Sequence, residues 1–275
     1  MRVKFALLIF FFYSCTAIAA EFEYQIKTVK YKNLAARLYL PKSDHKVPVV
    51  IAFGGSEGGF NFGDANGEMI APHGIAVLAV AYFKSEGLPQ TLDHIPLEYF
   101  VTAIDFLETS DLIDANRIGV ISGSRGSEPA FLLAALDSRI KSVAVAVPSE
   151  VAWYGSTTSS SAWTLGGKDI PALSLELEDS APQVSRFEAA LKNTDNVRKA
   201  MFAFEKINGP ILMVSAINDQ VWPSYQMGND IENYLKEHQF RFQVIHKSYS
   251  TGHGFSKDTA PEIKQMFIEH FLHTL

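Results

Sequence analysis

The stretch Gly119–Glu128, GVISGSRGSE, decides how the rest of the chain is read. It links a strand candidate, Arg117–Ile121, to a helix candidate, Ser127–Leu136, through the corner Ser122-Gly123-Ser124-Arg125-Gly126. A strand that turns at once into a helix brings two backbones close together. The residues two before and two after the turning point must then be small. Ser122 and Gly126 meet that demand, with serine standing where glycine is the commoner choice. Ser124 occupies the turning point, where a strained backbone projects a side chain outward and a helix start points N–H groups at the same spot. Ser122 and Ser127 lack that placement and read as packing or capping residues.

Outward from this corner, short apolar runs alternate with amphipathic stretches. The runs are Val47–Phe53, Ile75–Phe83, Arg117–Ile121, Ser142–Val147, Pro210–Ala216 and Phe240–His246. Continuous Val/Ile/Ala segments suit strands buried on both faces of a parallel sheet. The intervening stretches Pro96–Leu107, Ser127–Leu136, Ser224–His238 and Pro261–Leu275 read as helices. The pattern predicts one α/β domain over 21–275 with a mostly parallel, doubly wound sheet. Glu21–Leu40 alternates around a Lys32-Asn33 turn and predicts an antiparallel entry hairpin. Residues 151–208 break the alternation with an aromatic- and Ser/Thr-rich segment too long for an ordinary connection. Two readings stay open for it, a helix with a loose loop or a lid insert over a site.

A serine hydroxyl is not nucleophilic at neutral pH. It needs a general base, and the base needs an orienting carboxylate. The corner fits the nucleophile-elbow pattern G-x-S-x-G on a strand-turn-helix, apart from Ser122 in the first glycine's place, and an elbow of that kind needs its partners in the order Ser, then Asp or Glu, then His. After the run Pro210–Ala216 comes Ile217-Asn218-Asp219-Gln220, which puts Asp219 just past a strand end. After Phe240–His246 comes Tyr249-Ser250-Thr251-Gly252-His253-Gly254. Of eight histidines, His253 alone is both late in the chain and in a loop after a strand. His246 falls inside a strand candidate and reads as structural. The expected catalytic set is therefore Ser124, Asp219 and His253. The Arg125 backbone N–H is the first expected oxyanion donor. The second comes from the loop Phe53-Gly54-Gly55-Ser56-Glu57-Gly58-Gly59, at Gly55 or Ser56. Tyr82, Phe83, Trp153 and Trp222 are candidate substrate-pocket walls. Glu128, one helical turn beyond Ser124, reads as a packing residue or an ion-pair partner of Arg125. Glu57 has no assigned role.

Composition narrows the classes further. The chain has 275 residues, 47% hydrophobic and 20% charged, enough for a sizeable core. The formal charge is −6 with no Lys/Arg cluster, which argues against nucleic-acid binding. No His-x₃-His or H-E-x-x-H spacing occurs, so a zinc hydrolase is not expected, and a serine–histidine–aspartate mechanism needs no cofactor. The first residues, MRVKFALLIFFFYSCTAIAA, carry Arg2 and Lys4, an apolar run too short to span a bilayer comfortably, and an Ala17-Ile18-Ala19 cleavage pattern. They are expected to be a signal peptide over 1–20, which implies export to a periplasm or the exterior. Lipid attachment at Cys15 is the weaker reading, because Tyr13 is bulky for a lipobox. Cleavage leaves 22 basic and 30 acidic residues, a charge of −8, and removes the only cysteine.

Several segments together resemble one family. They are PVVIAFGGSEGG, GIAVLAVAYFKSEGLPQTLDHIPLEYF, RIGVISGSRGSEPAFLLAA, VAVAVPSEVAWYG, GPILMVSAINDQVWPS and YSTGHGF. The chain is similar to the C-terminal catalytic domain of the acyl-CoA thioester hydrolase / bile acid-CoA:amino acid N-acyltransferase family, and more distantly to dienelactone-hydrolase-like enzymes. The resemblance implies that Ser124 is the nucleophile, that Asp219, before Trp-Pro-Ser, is the acid, and that His253 is the base. It also implies hydrolysis, because members that conjugate acyl groups to amino acids tend to carry cysteine at the elbow. The expected function is a serine hydrolase acting on a small acyl thioester or ester, with no nucleic-acid partner and no stable membrane insertion. The alternatives are an amidase, peptidase or acyltransferase using the same three residues, and a binding protein that keeps only the fold.

Overall fold

A computed structural model describes residues 21–175 and 180–275. The expected signal peptide and Cys15 lie outside the described residues. The main sheet has eight strands: β1 Tyr24–Thr28, β2 Ala35–Pro41, β3 Val47–Ala52, β4 Ala76–Ala81, β5 Ile113–Gly123, β6 Ile140–Ala146, β7 Ile211–Ala216 and β8 Val244–Tyr249. Their spatial order is β1-β2-β4-β3-β5-β6-β7-β8. The pairs β1/β2 and β2/β4 are antiparallel, and the others are parallel. The Lys32 turn closes the entry hairpin with φ at 49°. Every residue of β4 and β7 is buried, as their uninterrupted apolar runs require. The edge strand β8 is only half-buried and carries His246 and Ser248, so it lacks an unbroken apolar run. It lies about four residues later than the expected Phe240–His246.

Helices cover both faces. On one side lie α2 (Leu97–Glu108), α3 (Ser127–Leu136) and α6 (Ser224–Glu237), through Phe100, Ile104, Phe131, Leu133, Ile231 and Leu235. On the other lie α1 (Asn61–Ile70) and α7 (Ala260–Thr274), through Ile70, Ile263, Phe267 and Phe271. Each such side chain contributes about 1.5–3 kcal/mol by leaving water. Helix α1 is not expected from the sequence, because Gly63 and Gly67 are poor helix formers. Both are needed for packing. A Cβ on Gly63 would lie 2.8 Å from the Ala79 Cβ, and one on Gly67 would lie 2.5 Å from the Tyr39 ring.

The long insert is structured. Ala172–Leu173 pairs with Ala152–Trp153, and a Gly166-Gly167 hairpin runs from Trp163–Leu165 to Lys168–Asp169 and joins Ile95–Pro96. Helices α4 (Gln183–Leu191) and α5 (Thr194–Ala200) follow. The insert has a small core of its own, with Trp153, Leu173, Phe187 and Leu191 packed against Trp222 and Met227.

The chain reverses direction across the sheet at β3. One connection leads from β3 through α1 to β4, and the next crosses back through α2 to β5 on the far side of β3. The crevice beyond the ends of β3 and β5 is where open α/β sheets hold ligands.

Candidate active site

The corner is built as its composition requires. Strand β5 stays extended to Gly123, and Ser124 takes φ +53°, a left-handed conformation that non-glycine residues rarely adopt. A short 3₁₀ turn, Ser124–Gly126, then leads into α3. A Cβ on Gly126 would lie 2.1 Å from Ser122 Oγ and 2.3 Å from the Gly54 carbonyl, so only glycine fits. Strain of this kind costs on the order of 1–3 kcal/mol and must be held by its surroundings. Ser122 Oγ donates to the Phe53 carbonyl at 2.7 Å, tying β5 to the end of β3. Ser127 Oγ donates to the Ser124 carbonyl at 2.7 Å and accepts from the Ser149 N–H at 3.0 Å. The two neighbouring serines thus clamp the corner from both sides.

Two loops meet above it. His253, in the loop after β8, places Nε2 2.9 Å from Ser124 Oγ. Its Nδ1 lies 2.9 Å from both carboxylate oxygens of Asp219, in the loop after β7. This pairing sets the tautomer: Nδ1–H donates to Asp219, and Nε2 accepts from the Ser124 hydroxyl. Asp219 also accepts from the Val221 N–H at 2.9 Å, the Trp222 N–H at 3.3 Å and the Ser224 hydroxyl at 2.7 Å. Burial pushes its carboxyl up, but these hydrogen bonds, with that from His253 foremost, outweigh burial and hold it below the usual range. Ser224 was not singled out in the sequence. Its signal is the run Asp219–Ser224, in which a helix start follows the acid at once.

A cleft of about 520 Å³ opens onto Ser124 and His253. Its apolar walls are Phe62, Val147, Val221 and Phe255, and its polar rim is Ser56, Glu57 and Gln183 of the insert. Val147 itself is held at φ 43°, a strained conformation for a β-branched residue beside the site. The four aromatics expected as pocket walls do not line this cleft. Tyr82, Phe83, Trp153 and Trp222 are all at most 2% exposed. Tyr82 donates its hydroxyl to the Gly54 carbonyl at 2.9 Å, and Phe83 packs under Gly58. Trp222 stands edge-on to His253 at 6.0 Å. Trp153 borders a second cavity, with Arg125 and Phe187. Tyr82 and Trp222 instead pack against rings of the insert, Trp163 and Phe187, each at 5.8 Å.

Two features bear on the expected oxyanion donors. The Gly55 N–H already donates to Glu57 Oε1 at 3.0 Å. Ser56 lines the cleft, and no hydrogen bond to its amide occurs among the described residues. A Cβ on Gly55 would lie 3.2 Å from the Arg125 nitrogen, so this glycine lets the loop approach the elbow amide. The Arg125 side chain pairs with Glu128, which is fully buried. No cluster of three metal-ligating side chains occurs among the described residues, and no described helix is long and apolar enough to cross a membrane.

Residues 95–270, well over half of the chain, match the family model described as BAAT / Acyl-CoA thioester hydrolase C terminal. The chain belongs to this family. Among its relatives, acyl-coenzyme A amino acid N-acyltransferase 1 of Mus musculus is 30% identical over 204 residues, covering 73% of this chain and 47% of that protein. Acyl-coenzyme A thioesterase 1 of Homo sapiens is 26% identical over 227 residues, covering 82% and 53%. The chain therefore spans about half the length of the curated relatives it matches. A putative dienelactone hydrolase from Klebsiella pneumoniae superposes with a TM-score of 0.60 at 13% identity, covering 91% of this chain and 98% of that one. Carboxyl esterase 2 from Tuber melanosporum gives 0.58 at 19% identity, covering 95% and 89%. These likenesses fix the fold of the family member as α/β-hydrolase, dienelactone-hydrolase-like.

Proposed function

We propose that the chain is a serine hydrolase that cleaves small acyl thioesters or carboxylic esters through an acyl-enzyme. The observation that carries the reading is the unbroken hydrogen-bond chain Ser124–His253–Asp219, set on a strained elbow at the floor of an apolar cleft. Ser124 Oγ attacks the acyl carbonyl carbon while its proton passes to His253 Nε2. Asp219 holds the imidazole and stabilises the imidazolium. The negative charge on the carbonyl oxygen is met by the N–H groups of Arg125 and Ser56. Ser56 is preferred to Gly55 because Glu57 engages the Gly55 amide. Collapse expels the thiolate or alkoxide, which takes the proton from His253. Water then gives a proton to His253 and attacks the acyl-serine, and a second collapse releases the acid and returns the proton to Ser124. No step calls for a cofactor. The apolar walls suit an acyl chain, and the relatives named as acyl-coenzyme A thioesterases support the thioester class.

A second reading is favoured by the relatives named as N-acyltransferases: an amine replaces water in the second half-reaction. Serine at the elbow weighs toward water. The leader at residues 1–20 adds export to the proposal, and N-terminal sequencing of protein recovered outside the cytoplasm should begin near Glu21. A fluorophosphonate should add its mass to the peptide carrying Ser124, and p-nitrophenyl butyrate and short acyl thioesters should be turned over. Label on a different residue, or full turnover by the His253→Ala variant, would show the reading to be wrong.

A further inference from the structure

We propose that Glu128 is a positioning residue that locks the insert to the elbow and thereby aims the Arg125 amide. This rests on the reading of that amide as an oxyanion donor. Glu128 is wholly buried in the first turn of α3, four residues beyond Ser124. Its Oε1 lies 2.5 Å from Arg125 Nε. Its Oε2 accepts two donors from the insert, the Trp153 N–H at 3.0 Å and the Trp163 indole N–H at 2.8 Å. The Arg125 guanidinium closes the ring from the other side. It donates to the Trp153 carbonyl at 3.2 Å and to the Tyr154 carbonyl at 3.1 Å.

One buried carboxylate thus gathers the residue after Ser124, the first strand of the insert and the ring of Trp163. Stability alone does not account for it. A buried ion pair can often be replaced by apolar side chains of similar volume without loss. Fixed direction is what such a replacement lacks. Arg125 sits in a 3₁₀ turn adjoining a left-handed serine, between the clamps at Ser122 and Ser127, and its own side chain is tied to Glu128 and the insert. The oxyanion donor is also the element least tolerant of rotation, because displacements of about 1 Å at a reacting centre cost around a hundredfold.

The test separates aiming from folding. Wild type, Glu128→Gln and the double variant Arg125→Leu/Glu128→Leu are compared by thermal melting, by kcat and KM on p-nitrophenyl butyrate, and by the fluorophosphonate labelling rate. Glu128→Gln should lower both Tm and kcat, the latter about tenfold or more with KM nearly unchanged, and slow labelling by the same factor. The double variant should recover Tm but stay slow. Wild-type kcat in a double variant of wild-type Tm overturns the proposal, as does a rise in KM at constant kcat. Should the double variant not fold, Arg125→Lys decides. It keeps the charge but loses the forked bonds to Trp153 and Tyr154. A kcat lowered several-fold at constant KM supports the strut, and wild-type kcat overturns it. Wild type that fails to label at Ser124 overturns the hydrolase reading and the strut together. Label at Ser124 with all variants reacting at the wild-type rate overturns the strut alone.

Discussion

Among the described residues there are two Ser–His–carboxylate arrangements, and only one of them opens onto a cleft. In the first, His253 joins Ser124 and Asp219 at 2.9 Å each. In the second, His246 Nε2 lies 2.7 Å from Ser215 Oγ, and its Nδ1 lies 3.5 Å from Glu232. By residue type and distance the two are near copies. Their surroundings are opposite. Ser124 stands past a strand end in a strained elbow above a cleft, whereas Ser215 lies within β7 and is completely buried. The acids are also reversed. The Asp219 side chain is 1% exposed and hydrogen-bonded by three other donors, and that of Glu232 is 53% exposed. Burial pushes the His246 imidazole toward its neutral form, with Glu232 only partly opposing this. A serine–histidine pair beside a carboxylate is therefore not by itself a site, and position past a strand end, above a cleft, is what sets the Ser124 arrangement apart.

The sharpest way to break this comparison is the same substitution at both histidines. His253→Ala should lower turnover by a factor on the order of 10⁴–10⁶ and leave Tm nearly unchanged. His246→Ala should do the reverse, costing about 2 kcal/mol of stability through the cavity and the unpaired Ser215, with turnover of folded protein retained. Equal kinetic losses would erase the distinction. At the acids, Asp219→Asn should cost on the order of 10³–10⁴ in kcat through the wrong imidazole tautomer, and Glu232→Gln about twofold at most. A smaller effect is expected at Gly228, where a Cβ would lie 2.5 Å from His246 Nε2. Gly228→Ala should destabilise by about 1–3 kcal/mol, seen in urea unfolding. The last effect is read against pH and concerns another sealed acid. Burial, and then the Asp230 carboxylate, push Glu150 from 4.5 to about 8. Its native form therefore holds a proton that the unfolded chain has lost, so stability should fall as pH rises from about 4.5 to about 8. Glu150→Gln should flatten that slope in melting curves taken across the same window.

What the sequence reveals and what it hides follow the same division. Strands β3 to β7 are buried on both faces, so their composition declares them. Ser124 and Asp219 are legible because each follows such a strand, and His253 because it sits late in the chain in a glycine-flanked loop; the three lie within hydrogen-bonding distance. Helix α1 was hidden because Gly63 and Gly67, which let it lie against the sheet, weaken its signal. Strand β8 was misplaced because an edge strand can carry polar residues. The pocket walls were the least legible. A large aromatic after a strand has the same appearance whether it faces a cleft or props a loop, and Tyr82, Phe83, Trp153 and Trp222 all proved buried. The bond from the Gly55 amide to Glu57 depends on how one loop folds back on itself, which spacing does not encode.

The core of the insert has a consequence for how this protein can change. Trp153, Leu173, Phe187 and Leu191 are completed by Trp222 and Met227, from the segment that also carries Asp219 and Ser224. The rim of the cleft and the support of its acid therefore share one set of side chains. An insert transplanted from a relative to alter substrate choice would leave Trp222 among foreign neighbours and loosen the loop that orients His253. The side chains Trp153, Leu173, Phe187 and Leu191 are thus bound to change together with Trp222 and Met227, whatever else the insert is free to vary.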